Sequence, residues 1–459
     1  MIPPRFSAVL DEVRPLAAEF SAADKRLYLV GGVIRDLLMG VELTDGDLDF
    51  TTDATPEETK VILDRWATSI WTQGERFGTI GGIRDGRPVE ITTHRAERYD
   101  ADSRKPAVMF GDDVETDLGR RDFTINAMAL EVTSPEPTLI DPFDGAADLM
   151  TKRLRTPGSP EASFEDDPLR MMRAARFLAR FGFEADPELT AAVKLLAPRL
   201  EIVSVERVAQ ELDKLLVVPD PAAGLWFYVD TGLAQQFLPE LPAMRLEQDP
   251  IHRHKDVLSH TIAVVCNTSP ELKLRLAALF HDVAKPKTRS IGPAGVSFHH
   301  HEVVGARMTR DRMKALRYSN EMVSDVSQLV YLHLRFHTYQ MGWTDSAVRR
   351  FVRDAGSLLP ELIELTRCDC TTRNKRKAEM LSRRMDELEE RITRFEAEEE
   401  LKTIRPDLDG KAVMEHLGLA PGPVIGQAMA FLLELRLEHG PLDPDDALAR
   451  LDEWWAARD

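Results

Sequence analysis

Over the first 150 residues, short apolar runs that read as strands alternate with helix signals. Leu27–Val30 is an apolar run that stops at Gly31-Gly32, Leu37–Met39 continues a helical stretch, and Leu48–Thr51 reads as a second strand. Thr55-Pro56-Glu57-Glu58 is a capping box with proline at the first helical position, which predicts a helix start. Gly81–Arg84 and Val89–Thr93 flank Asp85-Gly86, a hairpin signal. Further on, strand signals vanish. Apolar residues recur at helical spacing over 165–181, 188–197, 204–217, 257–266, 272–284 and 322–336. Proline-marked breaks fall at Pro157–Pro160, Pro219–Pro221 and Pro239–Pro250. The stretch 375–402 is so densely charged that it reads as a solvated or bridging helix. The pattern predicts an α+β chain: a head with a small mixed β-sheet over 1–150, then helical segments over 151–245, 246–375 and 376–459.

Composition narrows this picture. A chain of 459 residues, 43% hydrophobic and 30% charged, has the balance of folded domains rather than of a disordered or collagen-like polymer. Three cysteines are too few for a disulfide framework and fit a reducing, cytoplasmic setting. Cys368 and Cys370 alone offer too few ligands for a zinc site. Met1–Phe20 has no basic segment followed by an apolar core, so it is not expected to be a signal peptide. No run approaches the roughly 18 apolar residues that mark a membrane span. The formal charge of −18 argues, on average, against a nucleic-acid partner, because phosphate is repelled. The distribution is uneven, however: Lys152–Arg180 and Arg367–Arg384 each hold seven basic residues that could meet phosphate.

Candidate chemistry begins at Asp47-Leu48-Asp49. Residues i and i+2 of a strand share a face, so two carboxylates project together and suit Mg²⁺. Two such ions, roughly 3.5–4 Å apart, activate a hydroxyl and stabilise a leaving pyrophosphate. Glu90, on the later strand, is the candidate third carboxylate. Upstream, Gly31-Gly32 lies between a strand and a helix, where glycine admits a ligand to the backbone and free N–H groups meet phosphate. Arg35 and Asp36 follow on that helix.

The ordered set Gly31-Gly32-Val33-Ile34-Arg35-Asp36, then Asp47-Leu48-Asp49, resembles the head of the CCA-adding enzymes and poly(A) polymerases, class II members of the DNA polymerase beta-like nucleotidyltransferases. Arg120-Arg121-Asp122-Phe123-Thr124-Ile125-Asn126-Ala127 is similar to the second motif of that family almost letter for letter. The resemblance implies that Gly31, Gly32, Arg35, Asp36, Arg120, Arg121, Asp122 and Asn126 bind the nucleotide, and that Thr93–Asp117 is the family's flexible loop.

Glu165–Phe177 reads as one helix with Asp167 and Arg170 on a shared face. A surface ion pair is the plain reading. The sharper one is a base reader: cytosine and adenine both present an amine beside a ring-nitrogen acceptor, which a carboxylate and a guanidinium match. Guanine and uracil present the opposite polarity. The resemblance places the family's base-reading pair at Asp167 and Arg170, with Arg173 and Arg176 following.

Nine of the twelve histidines lie between 252 and 337, around His281-Asp282. Such clusters bind one or two divalent metals. This pattern resembles the HD phosphohydrolase superfamily. It implies His260, His281, Asp282 and Asp369 as ligands of one metal, with His301 and either His333 or His337 for a second. Some HD domains are active phosphatases or phosphodiesterases. The Gly-Pro-rich tail Pro406–Gly426 is similar to tails of some CCA-adding enzymes, which implies tRNA contact; a tight turn between packed helices is the equal alternative. Trp454 and Trp455 read as packing residues.

The expectation is a template-independent enzyme that adds CCA to the tRNA 3′ end from CTP and ATP. Poly(A) polymerase is the nearest alternative. An HD phosphohydrolase with an RNA-binding head is the second, and a purely RNA-binding adaptor leaves both constellations unused.

Overall fold

The computed structural model describes residues 3–41, 46–98, 107–110, 113–246, 256–292, 295–336, 339, 343–370, 375–399 and 405–458. The chain divides into two compact units, Met1–Pro239 and Glu240–Asp459. No described helix is long and apolar enough to cross a membrane.

The first unit opens with a mixed seven-stranded sheet. Its strand order is Ser69–Trp71, Thr79–Arg84, Arg87–Thr93, Leu48–Thr52, Leu27–Val30, Ala129–Glu131 and Thr138–Ile140. Leu48–Thr52 and Arg87–Thr93 run parallel, and the other neighbours run antiparallel. A parallel pair requires a crossover, and the helix Pro56–Trp66 lies on that connection. Its capping box is formed: Thr55 accepts from the Glu58 amide, and the Glu58 side chain accepts from Thr55. The Asp85-Gly86 turn has positive φ at both residues, 52° and 79°, the geometry that a two-residue hairpin needs. Phe6, Phe20, Leu27, Leu29, Phe50 and Ile91 fill the core on one side of the sheet.

Helices follow, with one departure from the expected pattern. The helix anticipated over 165–181 is two helices, Pro160–Asp166 and Leu169–Phe181. Asp167 sits between them with extended φ and ψ of −138° and 98°. Pro168 is the cause, since its ring disfavours helical geometry in the residue before it. Asp167 and Arg170 are therefore not partners on one continuous helix face.

In the second unit, Val257–Asn267, Leu272–Phe280, His301–Ala315, Asn320–Leu332 and Leu359–Asp369 form a helical cluster. The charged helix Lys375–Glu399 is not merely solvated. Leu381, Met385, Leu388, Ile392 and Phe395 are buried, spaced three and four apart as one stripe. A stripe this narrow leaves the charges on the remaining faces, which is why composition alone suggested a solvated helix. The tail has its own small core of Leu408, Val413, Ile425, Ala428, Leu432, Ala447 and Leu451, and Trp454 stacks on Phe431 at 5.4 Å.

Candidate active site

In the first unit the site grows from the end of a buried strand. Leu27–Val30 is buried throughout and ends at Gly31, whose φ of 78° suits glycine alone. A Cβ there would lie 3.6 Å from both Arg121 Nη1 and Asp49 Oδ2. The bare backbone thus brings the N-terminus of helix Gly32–Leu38 beside a carboxylate and a guanidinium. Asp47 immediately precedes strand Leu48–Thr52, and the parallel register sets Asp49 next to Glu90. All three acidic residues reach solvent, although protein crowds the Asp49 carboxyl from one side. The protein packed around the Asp49 carboxyl, reinforced by the charges of Glu90 and Asp47, raises its pKa above the ordinary value, against the pull of Arg121. An oxygen-only donor set with charge still to be neutralised fits a hard divalent cation.

Beside these carboxylates opens a cavity of about 470 Å³. Eight arginines and three aspartates line it, so the local charge is strongly positive although the chain is acidic. The arginines are held by buried partners. Asp117 has a fully buried side chain and accepts from Arg120 Nη2 at 2.8 Å and Arg121 Nη2 at 3.4 Å. Burial would raise the Asp117 pKa, but the two guanidiniums outweigh it and hold it low. Asp122 accepts from Arg173 Nε at 2.8 Å and Asn126 Nδ2 at 2.9 Å, and is likewise held low against its burial. Arg35 donates to Asn126 Oδ1 at 2.6 Å and to Asp36 at 2.8 Å, with its guanidinium 4.7 Å from the centroid of the Phe181 ring. Arg176 lines the cavity, but its Nε is committed to buried Glu211 at 2.8 Å.

Asp167 and Arg170 both reach this cavity. Each is engaged elsewhere. Asp167 accepts from the Leu169 amide at 3.1 Å and from Arg207 Nη2 at 3.3 Å. Arg170 donates to Ser163 Oγ at 2.8 Å and to the Arg120 carbonyl. Sequence reasoning missed Asp117, Ser163, Arg180 and Arg207. Asp117 was within reach, three and four residues before two arginines, the spacing of helical ion pairs. Arg207 comes from the separate helix Val205–Leu216, and no local pattern signals it.

The second unit gathers a different donor set. His260, His281 and Asp369 form one group, and Asp282, His301 and His333 another; within each, the ligand atoms lie within 4.8 Å of one another. His281 ends the helix Leu272–Phe280 and is buried with Asp282. His260 Nε2 lies 2.9 Å from Asp369 and 3.3 Å from His281 Nε2. The Nδ1 atoms of His281, His301 and His333 each meet the backbone carbonyl three residues earlier, at 2.6–2.8 Å. If Nδ1 carries the proton in each, Nε2 presents its lone pair to the site. The buried Nε2 atoms of His301 and His333 make no close hydrogen bond and lie 3.5 and 4.0 Å from Asp282 Oδ1, a spacing that leaves room for a cation between them. Burial would lower the His281 pKa, yet Asp282 and Asp369 raise it to about 10; a bound cation would displace that proton. Lys285, unforeseen, places Nζ 2.6 Å from Asp282. His337 and part of the Thr93–Asp117 segment lie outside the described residues.

Comparison with known proteins gives three successive matches along the chain. The family described as "Poly A polymerase head domain" matches residues 27–155. The one described as "Probable RNA and SrmB- binding site of polymerase A" matches 182–244, and the HD domain matches 257–395. An A-adding tRNA nucleotidyltransferase of Deinococcus radiodurans is 33% identical over 441 residues, covering 93% of this chain and 95% of the relative. A CCA-adding enzyme of Streptococcus pyogenes is 30% identical over 438 residues, covering 94% and 93%. Among solved structures, the Bacillus stearothermophilus CCA-adding enzyme in complex with CTP aligns with a TM-score of 0.70 at 24% identity, over 100% of this chain and 99% of that one. The Thermotoga maritima CCA-adding enzyme complexed with tRNA aligns at 0.60 and 19%, over 99% and 96%.

Proposed function

Since this chain belongs to the family of tRNA nucleotidyltransferases and poly(A) polymerases, we propose that it builds or repairs the tRNA 3′ terminus by adding CCA from CTP and ATP without a nucleic-acid template. The observation that carries this reading is the placing of Asp167 and Arg170 on the arginine-lined cavity that also holds Asp49. A carboxylate accepting from the base amine and a guanidinium donating to the ring nitrogen select C and A together.

Each group then has a task. The Gly31–Gly32 backbone and the arginines held by Asp117 and Asp122 receive the triphosphate, with charge-assisted hydrogen bonds fixing its orientation. Asn126, aligned by Asp122, and Arg35, braced on Phe181, set the far wall of the sugar site. Asp47 and Asp49, with Glu90 beside them, are placed to hold Mg²⁺, which when bound favours ionisation of the attacking 3′-hydroxyl and neutralises the departing pyrophosphate. The RNA 3′-oxygen attacks the α-phosphorus in line, and no covalent enzyme intermediate is needed. A tRNA substrate and three cysteines without disulfides fit a cytoplasmic enzyme.

The second unit supports an additional phosphohydrolase reading on its own observation, the convergence of buried imidazole and carboxylate atoms into two groups. His260, His281 and Asp369 fit one divalent cation, and Asp282, His301 and His333 a second; imidazole-rich sets favour transition metals over Mg²⁺. Lys285 offers a positive charge to a phosphate brought there.

Asp49→Asn tests the head assignment. It should lower kcat for CTP and ATP addition by at least about a thousandfold, with metal-independent nucleotide affinity retained. Turnover within a few-fold of the parent would remove Asp49 from the reaction. Phosphatase activity on a generic ester should persist in Asp49→Asn and vanish in His281→Ala.

A further inference from the structure

We propose that the groove between helices His301–Ala315 and Asn320–Leu332 is an RNA-binding site that seats one nucleotide of the RNA substrate. The inference rests on the nucleotidyltransferase reading for the identity of that RNA. It is independent of the head cavity and of the histidine-aspartate centre, with which the groove shares no lining residue.

The groove encloses about 420 Å³, within the range of ligand pockets, ~300–1,000 Å³. Arg307 and Arg310, three residues apart on one helix, line it together, and both are exposed. No ion pair or hydrogen bond engages either guanidinium among the described residues. Among the described residues no carboxylate lines the groove, which is notable in a chain with 77 acidic residues against 59 basic ones. On the facing helix, Ser327 is 1% exposed and its hydroxyl has no partner, although it borders the cavity. Buried hydroxyls normally find one, so this atom is poised for a group that enters from outside.

The remaining walls say what that group carries. Tyr331 and Val303 are 38% and 48% exposed, an aromatic face and an apolar edge beside two cations. Two guanidiniums suit a phosphate backbone, and an exposed tyrosine suits a stacked base. Gln328, the lining amide with the capacity to read a base edge, already donates to the Asp354 carbonyl at 3.1 Å. A site built mainly from phosphate and stacking contacts grips RNA with little dependence on sequence. A free-nucleotide site would need a group to read the base.

The test uses the full-length protein and a tRNA transcript lacking its last three nucleotides. Binding is followed by fluorescence anisotropy across a salt series, and addition by KM and kcat. The variant Arg307→Gln/Arg310→Gln should raise Kd and KM for tRNA about 5- to 10-fold and flatten the slope of log affinity against log salt by about one to two. Its kcat and its KM for CTP should stay at parent values. Arg307→Lys/Arg310→Lys, which keeps the charge, should recover most of the affinity. Ultraviolet cross-linking of the bound transcript should label Tyr331, and Tyr331→Ala should remove that label. Unchanged KM and salt slope in a variant that melts as the parent does would overturn the proposal. So would a Tyr331 label from CTP or AMP that tRNA fails to compete away. A parent protein that neither binds nor extends tRNA would overturn the functional reading and this one together, whereas a normal parent with an indifferent groove variant overturns only the groove.

Discussion

At the scale of single residues, the head is a set of charges positioned by other charges. Arg120 and Arg121 owe their place to Asp117, and Arg173 owes its place to Asp122. Replacing Asp117 with Asn leaves two guanidiniums without their carboxylate and should cost about 3 kcal/mol of stability at neutral pH, with KM for CTP raised about tenfold. The pH dependence follows from the depressed folded pKa of Asp117. Its contribution is complete above the unfolded carboxylate pKa of about 4 and is lost as pH falls toward the folded value. The stability gap between parent and Asp117→Asn, read from urea melts, should therefore narrow on acidification. A gap that is constant or that widens below pH 4 would contradict the role. Arg170→Ala should relax discrimination against UTP and GTP by about 1–3 kcal/mol, measured in a four-nucleotide competition. Undiminished selectivity would exclude Arg170 as a base reader. The residue scale was also the most legible in the sequence, because short motifs place Gly31, Asp49, Arg121 and Asp122 through local backbone geometry. Arg207 was invisible there, since its contact with Asp167 spans forty residues and two helices.

At the scale of elements, the informative feature is the break at Pro168. Asp167 and Arg170 both line the cavity, but not as neighbours on one helix face, because the helix breaks between them. The extended backbone at Asp167 frees its carboxylate to accept from the Leu169 amide and to face the cavity. Pro168→Ala removes the steric bar to helix at Asp167, so the two helices should tend to fuse. The expected result is a small gain in helical circular dichroism with a fall in kcat/KM for both CTP and ATP. Unaltered kinetics would show that the break is incidental to base selection. The helix Lys375–Glu399 carries the complementary lesson. Its composition left a solvated or a bridging helix open, and the buried stripe from Leu381 to Phe395 shows that one face packs. Composition averages over all faces of a helix, whereas packing depends on one.

At the scale of the whole molecule, the net charge of −18 coexists with a cavity lined by eight arginines. The average hides this distribution, and the head cavity has the opposite sign. Order of motifs along the chain made the α+β head and the helical remainder legible, because strand and helix periodicities differ. The assembly of the two metal-ligand groups in the second unit was only partly legible. His260 and Asp369 meet at 2.9 Å across 109 residues, a distance fixed by helix packing rather than by spacing. Relatives named for A addition and for CCA addition cover this chain almost equally. The decisive measurement is therefore the sequence of the product. Purified protein, CTP, ATP and Mg²⁺ are incubated with tRNA ending at the nucleotide before CCA, and the extended 3′ ends are sequenced. The expected extension is C, C and A in that order, followed by a stop. Ends that gain no C, or that carry only a tract of A, would contradict the CCA-adding reading.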